Sequence, residues 1–180
     1  MKKIGITGTL SSGKTTASKI LSSRKGPLFI ADAEVKSLYK QKSFINLVSR
    51  KFKIKKKTNI KKFLKKKITK NVSNLKKLEQ ITHPLVRIEM RKFIKKNRRK
   101  KLLFFEIPLL VESKLMKYFD IIFLIKANRK TRLKRFIAKG GSKIFFKILD
   151  NKQLSHKAKS RYCDHTVVNE NNIKIFKTKL

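Results

Sequence analysis

The sequence has no tryptophan and a single cysteine, Cys163. One thiol cannot close an intramolecular disulfide, and a zinc site built on several thiolates is excluded with it. Such sparing use fits a reducing compartment. Acidic residues are scarce as well: 10 Asp and Glu stand against 50 Lys and Arg, a formal net charge of +40. No apolar stretch approaches the ~20 residues that a membrane helix needs. The two lysines at the N-terminus lead into a glycine-bearing motif and not into the apolar segment of a secretion signal. A soluble cytoplasmic protein with no membrane partner is expected. With 180 residues, 40% of them hydrophobic, the chain can bury the core of one domain.

A charge of this size would attract polyanions, RNA among them. Its distribution favours a solvated coat. Lysines lie along nearly every helical stretch and form no single basic arm, and Lys, Ile, Asn and Phe are abundant together, as AT-rich coding DNA gives regardless of function. Aromatic residues are not clustered beside the basic ones as readers of single strands need. No specific nucleic acid is expected as a partner, and a basic RNA-binding protein is the lesser alternative.

Five apolar runs read as strands: "KIGIT" (residues 3–7), "PLFIA" (27–31), "KLLFFEI" (101–107), "DIIFLIKA" (120–127) and "HTVVN" (165–169). Three are continuous and not alternating, as expected where helices cover both faces of a sheet. Helical spacing follows the first, second and fourth runs, over residues 14–23, 32–41 and 131–139. The alternation predicts an α/β fold, a doubly wound, mostly parallel five-stranded sheet, whose strand order is not legible. The interval between the second and third runs is too long for a crossover and carries helical patterns such as "FINLVSRKF" and "IKKFLKKKI". The expected organisation is one domain: a core of residues 1–31 and 101–135, a helical insertion at about 33–98 over the strand ends, a second helical excursion at about 136–152, and a closing segment, 153–180. "GGSKIFFKILDN" (140–151) opens on two glycines, which serve as a hinge or as a helix stop. No internal repeat is visible.

Between the first run and the first helix lies "GTLSSGKTT" (residues 8–16), in which Gly8, Gly13, Lys14 and Thr15 satisfy the phosphate-loop pattern. Glycines let the backbone turn its N–H groups inward, and the helix N-terminus adds partial positive charge. Lys14 is expected to reach the β- and γ-phosphates of ATP, and the Thr15 hydroxyl to bind Mg²⁺. Ser11, Ser12 and Thr16 complete the nucleotide-binding set, although Thr9, Ser11 and Ser12 make the loop poorer in glycine than many. Asp32 ends the second run. In a doubly wound sheet the carboxyl ends of neighbouring strands share one cleft, so Asp32 is either a general base for a substrate hydroxyl or the N-cap of the helix after it. Glu106 ends the third run, where it would hold magnesium or its water, the alternative being a solvated loop carboxylate. His83 and Pro84 read as a helix start, with proline in the first turn. Arg132, Arg135 and Lys139 project from the helix after the fourth run. Such a row either neutralises a transferred phosphoryl group or is simply a solvated helix face, and Arg135 is taken as nucleotide-binding.

Together "GTLSSGKT", "ADAEV", "THPLVR" and "EIPLLVES", in this order and spacing, resemble the dephospho-coenzyme A kinase family, from residue 3 to about residue 169. The resemblance implies a nucleoside-monophosphate-kinase-like fold with a helical acceptor-binding part and a lid. It implies transfer of the γ-phosphoryl of ATP to the ribose 3′-hydroxyl of dephospho-coenzyme A, with Mg²⁺ as cofactor. Asp32 matches the family's catalytic aspartate, and Glu106 an acidic position that is usually aspartate. His83, Pro84, Leu109, Leu110 and Glu112 match positions near the acceptor. "QLSHKAKSRYCDHTVVN" resembles the closing stretch, with Gln153, Lys159, Asp164 and Asn169 in matching places. Two departures stand out. Ile30 occupies a position where the family often has a second aspartate, and the lid carries Lys139, Lys143 and Lys147 in place of arginines, point charges instead of planar forks. Another phosphate-loop nucleoside-monophosphate kinase is the nearest rival reading.

Overall fold

Ile4 and Ile6 lie on one face of the first strand, β1 (Lys2–Gly8), and bury against Ala17 and Leu21 of the helix that follows, α1 (Lys14–Ser22). Phe104, Ile125 and Val167 join them from three further strands: β3 (Leu102–Glu106), β4 (Ile121–Lys126) and β5 (His165–Val168). The neighbouring Phe105 faces the other way, as the pleat requires. There it meets Phe29 from β2 (Leu28–Ile30), Phe93 and Phe119, with ring centroids 5.4 to 6.0 Å apart. Both faces of the sheet are therefore apolar, which is why the runs in sequence are continuous.

These contacts belong to a computed structural model that describes residues 1–55, 59–170 and 173–180. The five strands pair in parallel in the order β2-β3-β1-β4-β5. All five coincide with the expected runs to within a residue or two at each end. β1 lies at the centre: from it the chain passes to the edge strand β2, returns to β3 beside β1, and then crosses to β4 on the other side of β1. This is the switch point at which such sheets bind ligands, beyond the carboxyl ends of the strands.

One expectation needs correction here. Asp32 was read as ending a strand next to the loop strand, but β2 is an edge strand and β3 separates it from β1. The acid on the adjacent strand is Glu106, in register with Ile6 of β1 and with Ile30 of β2. Asp32 lies instead in the first turn of α2 (Ala31–Leu38). Because that helix already starts at Ala31, Asp32 is not its N-cap.

The described chain forms two compact units, Met1–Ala31 with Phe93–Leu180 and Asp32–Lys92. The second holds most of α2 together with α3 (Lys42–Phe52), α4 (Ile60–Lys70) and most of α5 (Ser73–Lys96). Its own core buries Leu38, Phe44, Val48, Phe52 and Leu64. The helix expected to begin at His83 and Pro84 begins ten residues earlier: Pro84 lies inside the 24-residue α5. A proline there removes one helical N–H donor. The apolar periodicity on both sides of Pro84 holds the helix together across the defect.

Beyond β4 come α6 (Arg129–Ala138), α7 (Lys143–Asn151), α8 (His156–Ser160) and, after β5, the short α9 (Ile173–Thr178). Asn128 caps α6 by accepting from the Thr131 N–H, and Ser142 caps α7 by accepting from that of Phe145. The glycine pair between them is a helix stop. Gly140 takes φ 80, and the Gly140 and Gly141 amides donate to the carbonyls of Ile137 and Phe136, the paired bonds of a Schellman motif. No helix among the described residues is long and apolar enough to cross a membrane.

Candidate active site

The loop between β1 and α1 takes a course that its sequence only partly permits. Gly13 has φ 98, and a Cβ there would lie 2.0 Å from Nδ2 of Asn169. A larger residue there would be strained in φ and would have to displace the Asn169 amide. Ser11 adopts φ 57 without being glycine, a left-handed conformation costing roughly 1 kcal/mol. Lys14 opens α1 and folds back over the loop, its Nζ donating to the Thr9 carbonyl at 2.9 Å, with only 7% of the residue exposed.

One turn of α1 then aims two hydroxyls at β3. Thr15 Oγ1 donates to Glu106 Oε1 at 2.7 Å and Ser18 Oγ to Glu106 Oε2 at 2.9 Å. They share a helix face because they are three residues apart. Glu106 is 2% exposed, so both of its oxygens are fixed before any ligand arrives. Sequence reading paired Thr15 with Glu106 and missed Ser18, although its spacing from Thr15 was visible. Among the described residues no three His, Cys, Asp or Glu gather as a metal cluster. The Thr15 and Glu106 oxygens are nonetheless the hard donors that Mg²⁺ takes when phosphates and water complete its shell.

The outer side of the loop is gripped by side chains from the C-terminal third of the chain. The Leu10 N–H donates to Gln153 Oε1 at 2.7 Å, and its carbonyl accepts from Arg132 Nη1 at 3.4 Å. The Ser12 carbonyl accepts from Asn169 Nδ2 at 2.8 Å and, more weakly, from Arg135 Nη1 at 3.5 Å. A cavity of about 280 Å³ opens beside them, lined by Ser11, Gly13, Thr16, Arg135, Lys139 and Asn169 among others. Arg132, whose row read either as phosphate-neutralising or as solvated, is 6% exposed and ion-paired with Asp150 of α7. Nothing local in the sequence marks Gln153 or Arg132 for this task, since their partners lie more than a hundred residues away.

His156 shares a hydrogen bond of 2.6 Å with the Thr9 hydroxyl. Burial, and then the nearby Arg132, Lys126 and Lys159, lower its pKa from the ordinary 6.5 to about 4, against a smaller opposing pull from Asp150. The imidazole is therefore neutral at physiological pH. Between about pH 6.5 and 4 the unfolded chain binds a proton at this site that the folded chain refuses, so stability falls as pH drops through that window. Denaturant midpoints measured near neutrality and near pH ~5 should therefore converge in His156→Gln relative to the unaltered protein. An equal acid-side drop in both would remove His156 as the cause.

After β3 the chain turns inward. Lys159, with no exposed surface, donates to the Pro108 carbonyl at 2.8 Å and pairs with Glu112 Oε1 at 2.9 Å. The same Glu112 oxygen accepts from the Leu154 N–H, and Thr7 Oγ1 donates to Pro108 O. Leu110 is fully buried, and a Cβ on Gly5 would lie 2.8 Å from it. Of the three residues expected near an acceptor in this segment, Leu109 keeps some exposure, whereas Leu110 and Glu112 are committed to internal contacts.

The remaining expected acceptor-side residues, Asp32, His83 and Pro84, belong to the helical unit. Asp32 is exposed in the first turn of α2. His83 is half-buried, and burial lowers its pKa, with Glu79 opposing the shift and Arg87 adding to it.

Comparison with known proteins is consistent across sequence and structure. The family model described as dephospho-CoA kinase matches residues 2–174. The dephospho-CoA kinase of Fusobacterium nucleatum is 32% identical over 176 residues, covering 94% of this chain and 90% of the relative. The crystal structure of TT1252 from Thermus thermophilus superposes with a TM-score of 0.77 at 25% identity, over 99% of this chain and 93% of that one. A dephospho-CoA kinase from Campylobacter jejuni shares the fold, with a TM-score of 0.63 at 21% identity and the same coverage of each chain.

Proposed function

Because the chain belongs to the dephospho-CoA kinase family, an ATP-dependent kinase family of coenzyme A biosynthesis, we propose that its substrates are ATP and dephospho-coenzyme A and that it phosphorylates the ribose 3′-hydroxyl. The observation that carries the assignment is the phosphate loop at the switch point of a parallel sheet, with Thr15 and Ser18 fixing the buried Glu106 beside it.

In this reading the loop from Gly8 to Thr16 and the Lys14 ammonium hold the triphosphate, while Arg135 lies at the nucleoside end. Thr15 and Glu106 would hold Mg²⁺, which would supply positive charge against that developing on the phosphates. Asp32 accepts the proton of the 3′-hydroxyl as that oxygen bonds to the γ-phosphorus. The bond from the γ-phosphorus to the bridging oxygen breaks, and ADP leaves with the electron pair. His83, Pro84 and Leu109 line the acceptor side. Leu110 and Glu112, turned inward, act on the acceptor through the course of the segment they anchor. Positioning and electrostatics supply most of the rate, as is usual for phosphoryl transfer. The lysine coat has no assigned partner.

ADP release is the direct test. It should require dephospho-coenzyme A and should not be supported by AMP or CMP. Turnover with a nucleoside monophosphate and none with dephospho-coenzyme A would assign the chain to a neighbouring kinase activity.

A further inference from the structure

Two peptide planes of the phosphate loop are held by their carbonyl oxygens from outside. Arg132 donates to the Leu10 carbonyl, and Asn169 donates to that of Ser12. Among the described residues every peptide bond is trans, and in a trans plane the N–H points opposite to the C=O. The N–H groups of those planes belong to Ser11 and Gly13, and they face away from Arg132 and Asn169. No protein acceptor takes either one among the described residues. Successive inward amides of this kind form an anion-binding nest.

The loop does not hold this course by glycine alone, since Ser11 is left-handed without being glycine. Arg132 and Asn169 are themselves over-determined. The Arg132 Nε donates to the Ala127 carbonyl at 3.2 Å, its Nη1 pairs with Asp150, and its guanidinium lies 5.6 Å from the Phe146 ring. Asn169 is 7% exposed, its backbone N–H donates to Lys126 O at 2.7 Å, and its amide fills the space a Cβ on Gly13 would need. Supports locked in this way keep a binding constellation in its productive geometry.

We infer that Arg132 and Asn169 are positioning residues of the phosphate site, which hold the Leu10 and Ser12 carbonyls outward so that the Ser11 and Gly13 amides stay aimed at the polyphosphate. The inference rests on the reading that this loop receives a nucleoside triphosphate. Asn169 also lines the adjoining cavity, so the competing possibility is that it touches the nucleoside itself.

Two substitutions separate these roles without altering formal charge: Asn169→Leu removes the donor, and Arg132→Lys replaces a fork that serves several acceptors with a single ammonium. Binding is measured by calorimetry for ATP, inorganic tripolyphosphate and adenosine, with thermal melting of each variant alongside. The expected result is a roughly tenfold loss for ATP and for tripolyphosphate in Asn169→Leu, a somewhat smaller loss in Arg132→Lys, and adenosine affinity within about twofold of the unaltered protein. Loss shared equally by adenosine would make Asn169 a ligand contact or a merely structural residue and overturn the inference. Unchanged tripolyphosphate affinity in folded variants would overturn it as well. Should Asn169→Leu fail to fold, the same split is read from Arg132→Lys. Absence of ATP and tripolyphosphate binding in the unaltered protein is a separate result, which overturns the parent reading and this inference with it.

Discussion

Asp32→Asn is expected to lower turnover at least ~100-fold while Mg·ATP affinity stays within about twofold, the mark of a lost general base and not of a lost ligand contact. The substitution preserves shape and removes only the proton acceptor. Its effect on folding should be small. Asp32 is exposed in the first turn of α2 and does not cap it, so what is forfeited is a carboxylate near a helix N-terminus, about 0.3–1 kcal/mol. A hundredfold loss of rate corresponds to about 2.7 kcal/mol of barrier, too large to arise from that source. Steady-state kinetics with dephospho-coenzyme A, beside ATP titrations of the same preparation, decide the matter. Near-normal kcat would take Asp32 out of the proton transfer.

Lys159→Met should destabilise the fold by about 3–5 kcal/mol, the usual consequence of removing one member of a buried ion pair. Lys159 has no exposed surface, and burial lowers its pKa while Glu112 pulls it back up. Methionine would fill much of the space, yet it would leave the Glu112 carboxylate without its cation. Glu112 Oε2 already has no hydrogen-bond partner among the described residues. The Pro108 carbonyl would lose the same donor. Against a typical total stability of about 5–15 kcal/mol, such a variant would be close to unfolding at physiological temperature. Replacing both partners, Lys159→Met with Glu112→Leu, should recover most of the loss, because a buried pair exchanged for apolar groups is often nearly neutral. Urea unfolding of the two variants tests this. A single-substitution cost below about 1 kcal/mol would show that the pair contributes little to stability.

Both predictions concern residues that the sequence displayed in different ways. Asp32 was marked by its place after an apolar run and by its match to the family's catalytic aspartate. Its two open roles were narrowed only when α2 proved to begin at Ala31. Lys159 matched a place in the family's closing stretch, but in a chain with 50 basic residues nothing local marked it as buried. Its burial is a property of α8, β4 and the segment after β3 meeting in space. Pro84 shows the opposite error. The local rule places proline in a first turn, but apolar periodicity on either side carried α5 through it.

By itself the sequence determined the phosphate loop, the five strands and the parallel α/β class, because these depend on short-range backbone preferences and on the period of apolar residues. Tertiary structure alone decided the strand order, which puts Glu106 and not Asp32 on the strand beside the loop, and the outer grip of Gln153, Arg132 and Asn169 on Leu10 and Ser12. The physical reason is range. A hydrogen bond between residues more than a hundred positions apart leaves no period or spacing in the chain, and only the folded sheet brings its donor and acceptor together.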